Sequence, residues 1–234
     1  MKLQKLYSYV RRAMDDYSMV DDGDKIAVGV SGGKDSLALL YALSGLRKFY
    51  PKKFDIVALT VNLGFENQDF NLIKDFCKNL DVECKIIDTE IGDIVFHKRR
   101  ESNPCSLCAK MRKGSLNDVA KKMGCNKVAY AHHRDDMIET MLMSLIYEGR
   151  FHCFNPVTYL DRMGLNVIRP MMYVPEMDVI GFANKYNLPV AKNPCPVDGH
   201  TKREYIKTLV RQLNRENLNC KDRLFTAVLN GGFD

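Results

Sequence analysis

Tryptophan is absent from the 234 residues, and no apolar run is long enough to cross a bilayer as a helix. The second absence removes the helical membrane classes. Low-complexity tracts and internal repeats are also missing, which argues against a disordered tail or a stacked-repeat architecture. The first twenty residues carry Asp15 and Asp16 and lack the unbroken apolar core of a secretory signal. A cytoplasmic protein with no membrane association is therefore expected. In such a compartment the eight cysteines stay reduced, and closely spaced thiols suggest metal or redox chemistry before disulfides.

Hydrophobic residues make up 46% of the chain, enough for the core of one domain of ordinary size spanning residues 1–234. The net charge of +6 is unevenly placed. Between His97 and Lys122, the cations Lys98, Arg99, Arg100, Lys110, Arg112, Lys113, Lys121 and Lys122 are opposed only by Glu101 and Asp118. That is the footprint of a surface for a polyanion such as RNA, although a solvated helix face has the same composition.

Apolar spacing predicts an amphipathic helix over 3–19 and β-rich runs at Lys25–Val30, Phe54–Val61, Val82–Asp88 and Lys127–Ala131, with a fifth at Asn166–Arg169. Helical patterns separate the runs: Leu37–Phe49, Asp69–Leu80, Cys105–Met123 and Asp135–Tyr147. A further helix starts near Pro175, and a helical tail covers about 202–230. The expected fold class is α/β, a mostly parallel five-stranded sheet flanked by helices. Residues 147–165 show no strong pattern and read as a long loop. Parallel sheets bind ligands beyond the carboxyl ends of their strands. There the chain places Ser31–Ser36, Thr60–Gly64, Asp88 and His132–Asp136.

Ser31, Gly32, Gly33, Lys34, Asp35 and Ser36 follow the first strand and open a helix. Two glycines let the backbone approach a ligand, successive N–H groups at a helix start hold anionic oxygens, and the serines and Lys34 add donors and charge. Asp35 is unusual in an anion site and points to Mg²⁺ or to holding the loop. The spacing is not that of the Walker loop.

Cys105 and Cys108 form a CxxC before a helix, and Cys195 lies between Pro194 and Pro196. Three such thiolates can hold a [4Fe–4S] cluster with one iron left open for an exogenous sulfur atom. A Cys₃His zinc site recruiting His200 and a metal-free persulfide relay at the CxxC use the same residues. Cys77, Cys84, Cys125, Cys153 and Cys220 are isolated and read as small buried side chains.

The hexapeptide at 31–36 resembles the SGGxDS signature of the PP-loop ATP pyrophosphatases. With CSLCAKMRKG from Cys105, HHRDD from His132, IRP from Ile168 and the later Cys195, the chain resembles the tRNA-cytidine 2-sulfurtransferase (TtcA-like) group over most of its length. The resemblance implies the adenine nucleotide alpha hydrolase-like version of the Rossmann-like sheet, ATP as substrate, a three-cysteine [4Fe–4S] cluster, and adenylation of a cytidine O2 in the anticodon loop of tRNA before sulfur insertion. It implies that His132 and the run Thr60, Val61, Asn62 lie against the nucleotide, and that Asp136 acts as a Mg²⁺ ligand or acid–base group with Asp135 as second choice. Arg112 and Lys113 could then polarise the base or steady the adenylate, and equally could contact tRNA phosphate or sit in solvent. Lys98, Arg99 and Arg100, with Lys202, Arg203, Lys207 and Arg211 at helical steps in the tail, are the expected tRNA phosphate contacts. A cysteine desulfurase or inorganic sulfide would supply the sulfur, and a homodimer is compatible with the chain. The alternative within the same chemistry is another PP-loop adenylating enzyme, acting on RNA or a small molecule, with structural zinc or no metal at the CxxC.

Overall fold

Strands β1 (Asp24–Gly29) and β2 (Phe54–Asn62) are almost continuously apolar, as strands covered on both faces must be. Their alternation sends Ile26, Val28, Ile56 and Ala58 into one core and Ala27, Val57 and Leu59 into another. In the computed structural model, which describes residues 1–65, 69–99, 104–191, 195 and 202–231, these strands lie in one six-stranded sheet. The others are β3 (Glu83–Asp88), β4 (Lys127–Ala129), β5 (Val157–Leu160) and β6 (Leu165–Ile168), and the order is β3-β2-β1-β4-β6-β5. All neighbours are parallel except β5 and β6.

The fifth expected strand is β6. The additional one, β5, corrects the expected five-stranded sheet and the loop reading of 147–165. β5 has only four residues, none fully buried, so too little alternation exists there to read. It pairs with β6 as an edge hairpin with Leu160 opposite Leu165, turned by Gly164 at φ +62°.

The larger core packs α1 (Leu3–Asp16), α2 (Lys34–Leu46), α3 (Asn71–Asn79) and α7 (Glu176–Lys185) on one face of the sheet. α6 (Arg134–Glu148) and the tail helices α8 (Lys202–Glu216) and α9 (Cys220–Asn230) join the same core. The tail is two helices rather than one, interrupted where Asn219 takes φ +65°. On the opposite face, α5 (Pro104–Lys122) lays Leu116 and Ala120 over the sheet. A short helix, α4 (Ile91–Asp93), continues as a π-helical turn at Ile94–Lys98 and packs under the first turns of α5 through Leu63, Ile91, Val95 and Cys108.

From β1 the chain moves through β2 and β3 toward one edge, then returns to place β4 on the other side of β1. The crevice beyond the carboxyl ends of β1 and β4 is therefore the switch point where open parallel sheets take ligands. The loop Val30–Gly33 leaves β1 there, and Tyr130–His133 leaves β4.

Candidate active site

A cavity of about 340 Å³ occupies this crevice, within the range of small-ligand pockets. Its floor is Gly29, Val30, Leu59 and Val61 at the strand ends, and Ser31, Asp35 and Ser36 form one wall. Tyr130, Ala131, His132 and Asp136 form a second wall, and Ala109, Arg112, Lys113 and Leu116 of α5 a third.

The phosphate loop is closed by its own atoms. Ser31 N–H donates to Ser36 Oγ at 3.1 Å, Gly33 N–H donates to Ser31 Oγ at 3.3 Å, and Ser36 Oγ donates to Gly33 O at 3.0 Å. Gly32 takes φ +83°, and a Cβ there would stand 3.2 Å from Ala191 Cβ and 3.3 Å from Ile73 Cδ1. Its carbonyl accepts the Ala191 N–H at 3.0 Å, which ties the segment leading to Cys195 to the loop. Gly33 is the N-cap of α2 with no side-chain cap, so the first N–H groups of the helix face the cavity mouth with its positive dipole end.

Lys34 Nζ lies 3.0 Å from Asp35 Oδ2 and 3.3 Å from Glu176 Oε1. Burial works against its charge, but these two carboxylates outweigh it and hold the lysine above its ordinary pKa. Asp35 Oδ1 is buried beside the cavity without a hydrogen-bond partner. A buried carboxylate oxygen left in that state calls for a cation or donor from a ligand.

Across the cavity, His133 N-caps α6 in a reciprocal box: its N–H donates to Asp136 Oδ2 at 2.9 Å and its Nδ1 accepts from Asp136 N–H at 3.2 Å. That leaves Asp136 Oδ1 on the cavity side, 3.6 Å from Arg203 Nη1. His132 stacks on Phe154 with centroids 4.7 Å apart, and its Nδ1 is buried without a hydrogen-bond partner. Burial pushes its pKa down to about 3, against a smaller opposing pull from Asp136, so the ring facing the cavity is neutral imidazole. Arg169 also lies over the Phe154 ring, at 4.9 Å from its centroid, and is lowered to about 10 by burial. Lys113 meets solvent at the cavity rim, yet surrounding protein and then Arg169 push it below its ordinary value.

Asp135 is not brought to the cavity. It is buried, with Oδ2 accepting the Glu176 N–H at 2.8 Å and Oδ1 held by Lys221 Nζ at 2.6 Å. Its carboxylate, expected as the second-choice catalytic group, is occupied by the Glu176 N–H and Lys221. Thr60 points to the α2 side of β2, and Asn62 is used by Asp88 and the Gly64 N–H, so only Val61 of that trio lines the cavity. In the tail, Arg203 reaches Glu139 at 3.1 Å and Thr140 Oγ1 at 3.1 Å, and Lys207 reaches Glu176 at 2.6 Å. These two cations face inward. Lys202 lies over the Tyr147 ring at 4.7 Å, and Arg211 is exposed. Lys98 is paired with Asp93 at 2.8 Å, and Arg99 is exposed beside it; Arg100 and His200 lie outside the described residues.

Cys105, Cys108 and Arg112 fall at i, i+3 and i+7 on α5, so both thiols share the face that turns Arg112 into the cavity one turn later. Burial raises the Cys108 thiol, Arg112 draws it down, and Cys195 and Cys105 each raise it again. Cys195, 87 positions further along the chain, is thus within electrostatic reach of Cys108. A thiol whose ionisation is opposed by its surroundings, as at Cys108, is released as thiolate when a cation compensates it, which suits a thiolate-bound metal group. Among the described residues, no three His, Cys, Asp or Glu side chains close around a single ion.

Sequence reading gave no site role to Tyr130, Glu176 or Lys221, and it noted Arg169 only within the IRP motif and Glu139 only as a carboxylate one turn into its helix. Tyr130 ends a strand run, and Glu176 follows Pro175 as an ordinary acidic first-turn residue. The partners of these residues lie far away in the chain.

The profile of the PP-loop domain family matches residues 3–214. A protein of Geobacter sulfurreducens named tRNA-cytidine(32) 2-sulfurtransferase is 37% identical, covering 98% of this chain and 91% of its own. Its namesake in Geobacter metallireducens is 38% identical over 98% of this chain and 90% of its own. Among solved structures, the U34-tRNA thiolase NcsA of Methanococcus maripaludis with its [4Fe–4S] cluster superposes with a TM-score of 0.80 at 25% identity, over 97% of this chain and 77% of that one. An NH3-dependent NAD synthetase of Campylobacter jejuni, at TM-score 0.53 and 19% identity over 98% of this chain and 93% of its own, shares the fold alone. With the closed loop at β1 and the cavity at the switch point in place, the chain belongs to the PP-loop ATP pyrophosphatases and, within them, to the tRNA-cytidine 2-sulfurtransferase family.

Proposed function

We propose that this protein is an ATP-dependent tRNA thiolase that adenylates O2 of a cytidine, position 32 in the anticodon loop by likeness to its relatives, and replaces that oxygen with sulfur. The observation that carries the reading is the double use of α5. Its first turn bears Cys105 and Cys108, with Cys195 in electrostatic reach of Cys108, and its next turns line the cavity that opens onto the phosphate loop. Activation and sulfur delivery are thereby held one helical turn apart. The whole chain, tail included, acts as one catalytic unit.

ATP seats its phosphates on the N–H groups of 31–36, with the hydroxyls of Ser31 and Ser36 and the ammonium of Lys34. Asp35 Oδ1 and Asp136 Oδ1 are the carboxylate oxygens suited to a Mg²⁺ ion, which would make pyrophosphate a better leaving group. Cytidine O2 attacks the α-phosphate, the α–β bridge breaks, and the base leaves the step as an O2-adenylate. Neutral His132 and Tyr130 shape the cavity against the base, while Arg112 and Lys113 stabilise negative charge on the transferred phosphoryl group. Cys105, Cys108 and Cys195 would hold a three-cysteine iron–sulfur cluster, which supplies sulfur in a form able to displace AMP. Lys98, Arg99, Lys202 and Arg211 extend a cationic surface suited to tRNA phosphates, with Arg100 beside them in sequence. The sulfur source is a cysteine desulfurase or inorganic sulfide, and a homodimer is compatible with this arrangement.

Converting Cys105, Cys108 and Cys195 to Ala one at a time tests the assignment. Each variant, purified without oxygen, should lose iron and fail to form 2-thiocytidine in tRNA, read by nucleoside mass spectrometry, while still releasing pyrophosphate from ATP. Wild-type protein that carries zinc and no iron, or a triad variant that thiolates normally, would sink it.

A further inference from the structure

Glu176 opens α7, away from the lining of the cavity, yet it stands between two lysines of different elements. Its Oε1 lies 3.3 Å from Lys34 Nζ of the phosphate loop and 2.6 Å from Lys207 Nζ of α8. Its side chain is 10% exposed, and its own N–H is fixed by Asp135, whose other oxygen is held by Lys221 of α9. One buried carboxylate is therefore shared by the residue that meets ATP phosphates and by the helical tail. Burial tends to raise Glu176, but Lys207 and then Lys34 outweigh it and hold it ionised.

We infer that Glu176 is a positioning residue that couples seating of the ATP phosphates on Lys34 to docking of the C-terminal helices through Lys207. A buried carboxylate stripped of its cation is strongly unfavourable. When phosphate oxygens draw Lys34 away, Glu176 stays compensated only because Lys207 remains. The lysine of the loop is thus free to leave when α8 is docked and is held back when it is not. By reciprocity, bound nucleotide leaves Lys207 as the one ammonium paired with Glu176 among the described residues and tightens α8 against α7. Because α8 begins seven residues after Cys195 in the sequence, the tail that responds to ATP is the one joined to the third cysteine. The inference rests on the reading that ATP phosphates occupy the loop.

The test uses the full chain and α,β-methylene-ATP with Mg²⁺, which cannot be split at the reacting bridge. Dissociation constants are measured by calorimetry for wild type, Lys207→Met, Lys207→Arg, Glu176→Gln and the double variant Glu176→Gln/Lys207→Met. Lys207→Met should weaken binding by about tenfold, and Lys207→Arg should restore most of it. In the Glu176→Gln background, Lys207→Met should change binding by less than about twofold, since the shared charge is gone. Hydrogen exchange gives an independent reading: nucleotide should slow exchange of α8 amides in wild type and not in Glu176→Gln. If Lys207→Met does not fold, this exchange comparison decides alone. Equal affinities for wild type and Lys207→Met, a tenfold effect that persists without Glu176, or nucleotide protection of α8 that survives Glu176→Gln would each overturn the coupling. Wild type that binds no nucleotide would instead remove the reading of the loop itself, and with it this inference.

Discussion

The loop at β1 and the run at the end of β4 face each other across one cavity, yet they are built in opposite ways. Ser31, Gly33 and Ser36 satisfy one another within six residues. The His132–Asp136 run is held largely from a distance: Lys221 on Asp135, Arg203 beside Asp136, Phe154 against His132 and Asp222 on Arg134 at 2.6 Å. A site assembled from both is partly a local motif and partly a product of tertiary structure. Substitutions on the first side should act mainly through the shape of the loop, and those on the second should separate into chemistry and stability.

Asp135 and Asp136 give the sharpest form of this contrast, because they are neighbours in sequence and opposite in environment. Asp136→Asn should reduce pyrophosphate release from ATP and tRNA by about 100-fold or more, while the weakened cap of α6 lowers stability by at most about 1 kcal/mol. Asp135→Asn strands Lys221 and weakens the hold on the Glu176 N–H, so it should destabilise by about 3 kcal/mol, read from urea unfolding. Its kcat, measured on folded protein well below the melting temperature, should fall far less than that of Asp136→Asn. The reverse pattern would exchange the two roles.

The loop side should respond to a single methyl group. Gly32→Ala places a Cβ at φ +83°, 3.2 Å from Ala191 and 3.3 Å from Ile73, and should cost about 1–2 kcal/mol in stability or the equivalent in ATP affinity. Gly33→Ala adds a Cβ whose nearest neighbour is Ser31 Oγ at 3.5 Å, with φ −79°, and should fall within about 0.5 kcal/mol of wild type. Equal effects at the two positions would mean that the close approach at Gly32 is not what shapes the loop.

This contrast also explains what was legible in the sequence. The six residues 31–36, the CxxC and the strand–helix alternation announce themselves because spacing along the chain sets their geometry. Cys195 was readable only through its flanking prolines and the family likeness. The inward turn of Arg203 and Lys207 was not readable. Helical spacing placed them on one face of α8, but only the packing of α8 against α6 and α7 decides that they reach Glu139 and Glu176. β5 was missed because four half-exposed residues carry no period, and its strand character comes from pairing with β6. Asp135 was placed with Asp136 because adjacent carboxylates look alike until one of them is buried.

The smallest expected effect concerns acid stability, and it divides two carboxylates on the same helix. Burial tends to raise Asp135, but the Glu176 N–H and Lys221 prevail, and its folded pKa lies below the ordinary 3.8. A depressed pKa contributes stability that is fully present above the unfolded value and lost as pH falls through the folded one. Glu139 is the opposite case: burial and then Asp136 raise it above 4.5, and Arg203 only partly offsets them. Its folded form holds the proton more tightly, so it subtracts stability as pH rises from its unfolded value through its folded one. Urea midpoints measured from about pH 6 to about pH 3 should therefore fall less steeply on acidification in Asp135→Asn than in wild type, and more steeply in Glu139→Gln, each by about 1 kcal/mol across the range. Parallel curves for all three proteins would show that neither carboxylate differs between the folded and unfolded states, and that the tail cations Lys221 and Arg203 do not set the electrostatics of α6.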